Sequence, residues 1–200
     1  MKMIERICLC CAQVLAMAAQ AEDGRSVQDV ATTDPGTTDD AAATGSETLG
    51  PNEILSKLHQ ENLNEIQEGE LAQSNAKSSQ VKKFGKRVVH DHQQADKLVM
   101  AQAKKLGIDL STTAAAGQGE GQQEVSQLRA LQGVDFDRQF LQHEVQGHEK
   151  TIGMVKSAEA SSQDKGVKKT LAKILPKLQD HLKAAQALER KAGAPATGQR

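Results

Sequence analysis

Tryptophan and tyrosine are missing from this 200-residue chain, and phenylalanine occurs only three times. A core without aromatic bulk must be built from Leu, Val, Ile and Ala. Such a core suits close-packed helices better than sheets, whose strands favour aromatic and β-branched residues. The same lack argues against nucleic acid as a partner, because bases find no aromatic platforms to stack on. The net charge is −1 with 26% charged residues, unevenly spread: beyond residue 50 there is a mild excess of bases, interspersed rather than clustered. With 38% hydrophobic residues the composition is that of a globular chain and not of a polytopic membrane protein.

Cysteine is scarce and oddly placed. Cys8, Cys10 and Cys11 all fall within the first 21 residues. That segment has a basic start (Lys2, Arg6), with Glu5 as an atypical acid. An apolar run from Ile7 to Ala19 follows, too short to span a bilayer comfortably. Ala19-Gln20-Ala21 is a small-x-small cleavage site. Residues 1–21 therefore read as a cleavable secretory signal, leaving a mature chain with no cysteine and no transmembrane span. The expected location is periplasmic or secreted.

Residues 22–50 carry Glu22, Asp23, Asp29, Asp34, Asp39, Asp40 and Glu47 against Arg25, with almost no large apolar residue. They cannot bury enough surface to offset ordering entropy and read as a disordered acidic spacer. Residues 193–200 read as a similar tail.

Between these lies a helical domain, 51–192. Helix one is expected from Pro51 to about Ala76, since proline suits the first helical position. Its inner stripe is Leu55, Leu58, Asn62, Glu65, Gly69, Ala72 and Ala76. Helix two is capped by Ser78 or Ser79 and ended by Gly107. Its stripe is Val81, Phe84, Val88, His92, Ala95, Val99 and Gln102. Helix three, with Asp135 as its cap, carries Leu141, Val145, His148, Ile152 and Val155. Helix four, capped by Asp164, carries Val167, Leu171, Ile174, Leu178, His181, Ala185 and Leu188. Spacings of three and four keep each set on one helix face. Short turns make 1–2 and 3–4 antiparallel hairpins. The long segment from Gly107 to Gly133, with a Gly/Gln/Ala-rich stretch and a brief apolar helix (Val125 to Leu131), joins them. Two hairpins and one long crossover define a ferritin-like four-helix bundle. Asp-His-x-x-Ala recurs at Asp91–Ala95 and Asp180–Ala184, a weak echo of a duplicated hairpin.

Each stripe carries a polar residue where a bundle core should be apolar: Glu65, His92, His148 and His181. Counting from the turns at ~1.5 Å per residue puts Glu65 and His92 at a depth of ~18–20 Å, and His148 and His181 at ~21–26 Å. All four are expected to meet at mid-bundle. Three imidazoles and a carboxylate are donors for zinc, iron or copper. Glu144, four residues before His148, is an extra ligand candidate. Asp91 and Asp180 precede two of the histidines and are candidates to orient a ring on a neighbouring helix. The competing reading is a hydrogen-bonded polar layer that fixes packing, without metal, in a structural or envelope-stress interaction protein. His59, His90 and His143 fall off the stripes and are expected to face solvent. Pro176, inside helix four, should bend it.

The order Glu65-Ile66-x-x-Gly69-x-Leu71-Ala72, Val81-Lys82-x-Phe84-Gly85, Val88-Val89-x-Asp91-His92 resembles an exported bacterial family, domain of unknown function 4142. Phe136-Asp137-x-x-Phe140, the His148 segment and Leu175-Pro176-x-Leu178-x-x-His181-Leu182 extend the likeness over about 52–190. The resemblance implies a ferritin-like bundle in the periplasm or outer-membrane fraction, and it implies no activity. The Glu-x-x-His pairs of di-iron proteins are absent: Val89, Val145 and Leu178 stand three residues before the histidines. Nor is there a nucleophile pattern or a Gly-rich phosphate loop. The expectation is a binding or structural protein and not an enzyme.

Overall fold

The computed structural model describes residues 49–111 and 120–193. The expected signal segment, nearly all of the acidic spacer, part of the Gly/Gln/Ala-rich stretch and the tail after residue 193 lie outside the described residues. Among the described residues the chain is all-α. Its helices are α1 (Pro51–Asn75), α2 (Ser79–Lys105), α3 (Glu120–Arg129), α4 (Gly133–Ser161) and α5 (Lys165–Gly193). None of them is long and apolar enough to cross a membrane.

The helix ends follow local chemistry. Pro51 opens α1, where its missing N–H costs nothing. Ser78 caps α2, its hydroxyl accepting from the Gln80 and Val81 amides. Gly107, with φ of 67°, ends that helix in the left-handed region. Asp164 caps α5 through a 2.7 Å bond from the Val167 amide. The expected cap at Asp135 is not formed. Gln132 occupies the N-cap position without a side-chain bond, and Asp135 lies in the first turn, paired to Arg138 at 2.6 Å. The nearby carboxylate that caps is Asp137, which accepts from the Lys77 and Ser78 amides at 3.0 and 2.9 Å and so ties α4 to the α1–α2 turn. Pro176 does not end α5, which continues unbroken to Gly193.

The helix α1 packs along α2, and α4 along α5; α2 also meets α5, and α1 meets α3 and α4. The α1–α2 contact is unusually close. A Cβ on Gly69 would stand 2.7 Å from the Gly85 carbonyl oxygen, and one on Gly85 would stand 2.5 Å from the Ala72 Cβ. Only two glycines let these backbones touch, and that approach brings the polar side chains of α1 within reach of α2.

The apolar core falls into two clusters. One contains Ile54, Leu55, Leu58, Val99, Val155, Leu171 and Leu178. The other contains Ala72, Val81, Phe84, Val88, Phe136, Phe140, Leu141 and Ala185. Each buried Leu or Phe contributes about 1.5–3 kcal/mol by leaving water. On every long helix the polar residues of interest fall between its members of the two clusters: Asn62 and Glu65 on α1, His92 on α2, Glu144 and His148 on α4, and His181 on α5. A polar layer thus divides the core.

Candidate metal centre

Within that layer His92, His148 and His181 are 1–2% exposed. Their rings form a nearly equilateral triangle, with centroids 5.6 Å (92–148), 5.3 Å (92–181) and 5.3 Å (148–181) apart. One ring nitrogen of each lies within 4.8 Å of one from each of the others. Phe84 stands edge-on to His181 at 6.1 Å and helps to close the site on its apolar side.

The outward partners fix the tautomers, because each is an acceptor. His92 Nδ1 lies 2.9 Å from the Asn62 side-chain oxygen and donates to it. His148 Nδ1 donates to the Glu144 backbone carbonyl at 2.8 Å. His181 Nε2 donates to Asp91 Oδ2 at 3.0 Å. The remaining nitrogens, His92 Nε2, His148 Nε2 and His181 Nδ1, carry lone pairs. Among the described residues His92 Nε2 is buried with no partner. His148 Nε2 and His181 Nδ1 face each other at 3.3 Å. Two lone pairs at that distance repel, and a cation between them removes the repulsion. Three imidazoles about 2.0–2.1 Å from one tetrahedral ion would have donor atoms roughly 3.3 Å apart and centroids roughly 5 Å apart. The ring centroids have that spacing, and so does the His148 Nε2–His181 Nδ1 pair at 3.3 Å.

Burial holds all three imidazoles in the neutral, ligating form. For His92 burial dominates, reinforced by the charges of His148 and His181, and its pKa is driven well below the ordinary range. Burial and the charge of His181 lower His148 to about 3. Burial also lowers His181, with hydrogen bonding and charge from Asp91 in partial opposition. Burial alone would raise the Asp91 carboxyl; hydrogen bonds from His181 and His90, with the charges of His181 and Lys177, outweigh it and hold it near 2. Asp91 is therefore an ionised acceptor behind His181, as a carboxylate behind a metal-bound imidazole should be.

Glu65 does not join the three histidines; it comes together instead with Glu144 and His148, one donor atom of each lying within 4.8 Å of the others. It stands with Glu144 on the other edge of His148, whose Nδ1 is 3.6 Å from Glu65 Oε1 and 3.5 Å from Glu144 Oε2. The reason is rotation along α1: Asn62, three residues earlier, holds the position facing His92. Glu65 and Glu144 are both buried, and burial and neighbouring carboxylates raise both pKa values far above the usual range. Asp180 is away from the site, 56% exposed and 4.0 Å from Arg87. The α5 helix turns it about 100° from His181.

Two of the remaining histidines correct expectation. His59 is buried, with its Nδ1 2.6 Å from Asp96 Oδ1. His143 is half-buried, its ring nitrogen 2.9 Å from the Gln139 amide. His90 is exposed. The signal for the first pair was present but unused: His59 lies three residues before Asn62 and Asp96 four after His92, so they repeat the same cross-helix contact one turn away. A further group, Glu68, Glu124 and His143, also comes together.

Residues 35–188 match the family Domain of unknown function (DUF4142). The chain belongs to that family. No curated protein matches it significantly. Among solved structures, "CopM in the Cu(II)-bound form" superposes with a TM-score of 0.61 at 16% identity, over 72% of this chain and 98% of that one. A Streptomyces coelicolor protein described as secreted, DUF305, superposes with a TM-score of 0.60 at 11% identity, over 74% and 98%. At these identities the likeness concerns the helical fold.

Proposed function

We propose that this DUF4142 chain is an exported, non-enzymatic transition-metal-binding bundle. His92, His148 and His181 are its ligands, and Asp91, Asn62 and the Glu144 carbonyl hold the rings in place. The observation that carries the reading is the convergence of three buried, neutral imidazole nitrogens whose outward partners are all acceptors. A metal-free polar layer explains the outward bonds. It leaves His92 Nε2 unpartnered and two lone pairs 3.3 Å apart.

Neutral imidazoles suit copper, zinc, iron and nickel. The copper-bound structural neighbour puts copper first and zinc second. The secreted neighbour supports a periplasmic or secreted site of action. Two hairpins joined by one long connection support a ferritin-like bundle whose di-iron ligands are replaced by a tris-imidazole set.

Metal analysis of untagged protein tests the reading. After incubation with copper or zinc and removal of free ion, wild type should retain about one ion per chain, and His92→Ala/His181→Ala should retain far less. Equal, negligible retention by both proteins sinks the proposal.

A further inference from the structure

A row of carboxylates runs along the seam where α1 meets α3 and α4. Glu61, Glu65 and Glu68 follow one another at spacings of four and three on α1, and so share a face. A donor oxygen of Glu144 on α4 lies within 4.8 Å of one from Glu65, and one of Glu124 on α3 within 4.8 Å of one from Glu68; the Glu124 charge also acts on Glu61. Gly147 leaves room beside them: a Cβ there would lie 3.7 Å from Glu65 Oε1 and 3.8 Å from Glu61 Oε1.

Such a row is costly unless something positive offsets it. At the inner end Glu65 and Glu144 hydrogen-bond to each other, and Glu61 accepts from the Thr151 hydroxyl at 3.2 Å and feels the charge of Lys150. The outer end has nothing comparable. Glu68 is 5% exposed, and among the described residues it makes no hydrogen bond or ion pair; the charged groups acting on it are the carboxylates of Glu124 and Glu61. His143 Nδ1 is buried without a partner among the described residues. One donor atom each from Glu68, Glu124 and His143 lie within 4.8 Å of one another. Glu124 is exposed, His143 half-buried and Glu68 buried, so the group opens to solvent on one side.

We propose that Glu68, Glu124 and His143 form a second cation site, distinct from the three buried histidines. Its ligand is a divalent ion that accepts carboxylate and water oxygens, such as manganese or ferrous iron. Two carboxylates and one imidazole with open positions suit ions that keep bound water, whereas the tris-imidazole site suits ions that favour nitrogen. The site lies at the outer end of the carboxylate row that leads through Glu65 and Glu144 to His148. It stands independently of the tris-imidazole reading, since it shares no residue with it.

Manganese(II) alone is the probe, because it favours oxygen ligands and its free aqueous ion gives a strong electron paramagnetic resonance signal that falls on binding. Chelator-stripped full-length protein should take up about one ion. Glu68→Gln/Glu124→Gln should weaken uptake at least roughly tenfold, and His92→Ala/His181→Ala should leave it unchanged. The glutamine changes remove like-charge repulsion, so the fold should survive, which circular dichroism checks. His143→Ala is the second variant and should also weaken uptake. The proposal is overturned if wild type leaves manganese free, if both outer-site variants bind as well as wild type, or if uptake is lost in the double-histidine variant. Copper retention separates the two readings: a protein that binds manganese at the outer site yet retains no copper disproves only the tris-imidazole site.

Discussion

His59 with Asp96, and Asn62 with His92, bridge α1 and α2 one turn apart. The first pair is complete: a 2.6 Å hydrogen bond joins them, and neither residue has a buried atom left without a partner. The second is made from similar parts and ends differently. Asn62 takes one nitrogen of His92 at 2.9 Å, and the other is left bare toward His148 and His181. A buried histidine is therefore not itself a sign of a site on these helices. The sign is a donor atom that the fold has positioned and left unused. The largest expected effect breaks that comparison. Metal at about a thousandfold over Kd stabilises a folded protein by about 4 kcal/mol, worth roughly 2–4 °C per kcal/mol for a domain of this size. Copper or zinc should raise the melting temperature of wild type by about 10 °C. It should do the same for His59→Ala and leave His92→Ala/His181→Ala unmoved. A shift lost in His59→Ala would mean that the two pairs are not distinct.

The next effect concerns the two edges of His148, imidazoles on one side and carboxylates on the other. In metal-free protein, burial, Glu124 and Glu61 raise Glu68 to about 8, and burial raises Glu65 and Glu144 as well. The folded state then binds more protons than the unfolded chain above pH 4.5, so stability falls as pH rises through about 8. The histidines act oppositely. Their lowered values mean that the unfolded chain binds more protons below pH 6.5, so stability is lost as pH falls. The other charged groups acting on these sites are Lys150 on Glu61, and Arg87 and Lys177 on His181. Chelator-treated protein should melt highest between about pH 5 and 6.5 and lower at about pH 8.5. Glu68→Gln should flatten the alkaline side only. A melting temperature rising steadily to pH 8.5 would show that the carboxylates are not buried as charges.

Asp96→Ala sharpens the first comparison from its closed side. Removing the acceptor leaves His59 buried without it, a cost of about 1–3 kcal/mol. Thermal melting should drop by several degrees, while metal retention stays at the wild-type level. Lost retention would tie Asp96 to the site one turn away.

Much of this arrangement was legible in residue spacing. The stripes placed His92, His148 and His181 at one depth because rise per residue is a reliable ruler. Depth says nothing of rotation, and rotation is where the reading failed: Glu65 shares the layer but faces α4. His59 and Asp96 were missed because a stripe aimed at the bundle axis omits the flank where two helices touch, and the Gly69–Gly85 contact makes that flank interior. Glu68, Glu124 and His143 come from three helices, one of them in the crossover, so no single period could join them. The capping role of Asp137 is not legible in the sequence, because local capping patterns cannot foresee a carboxylate serving the start of another helix.

The smallest effect tests the two aspartates that each precede a site histidine, Asp91 before His92 and Asp180 before His181. The sequence treats them alike, whereas the structure does not. Asp91 accepts from His181 across the bundle at 3.0 Å and is 10% exposed, while Asp180 is 56% exposed beside Arg87. An acceptor behind a ligating imidazole fixes its tautomer, and its loss costs roughly 10–100-fold in metal affinity. Asp91→Ala should weaken copper or zinc binding by that factor in a competition titration, and Asp180→Ala should change it less than about twofold, as an exposed position warrants. Asp91→Asn should be as damaging as Asp91→Ala where the amide turns its NH2 toward His181, because the ring would then offer Nε2 as a lone pair and lose Nδ1 as a ligand. Equal affinities for Asp91→Ala and Asp180→Ala would remove the cross-bundle hydrogen bond from the account of the site.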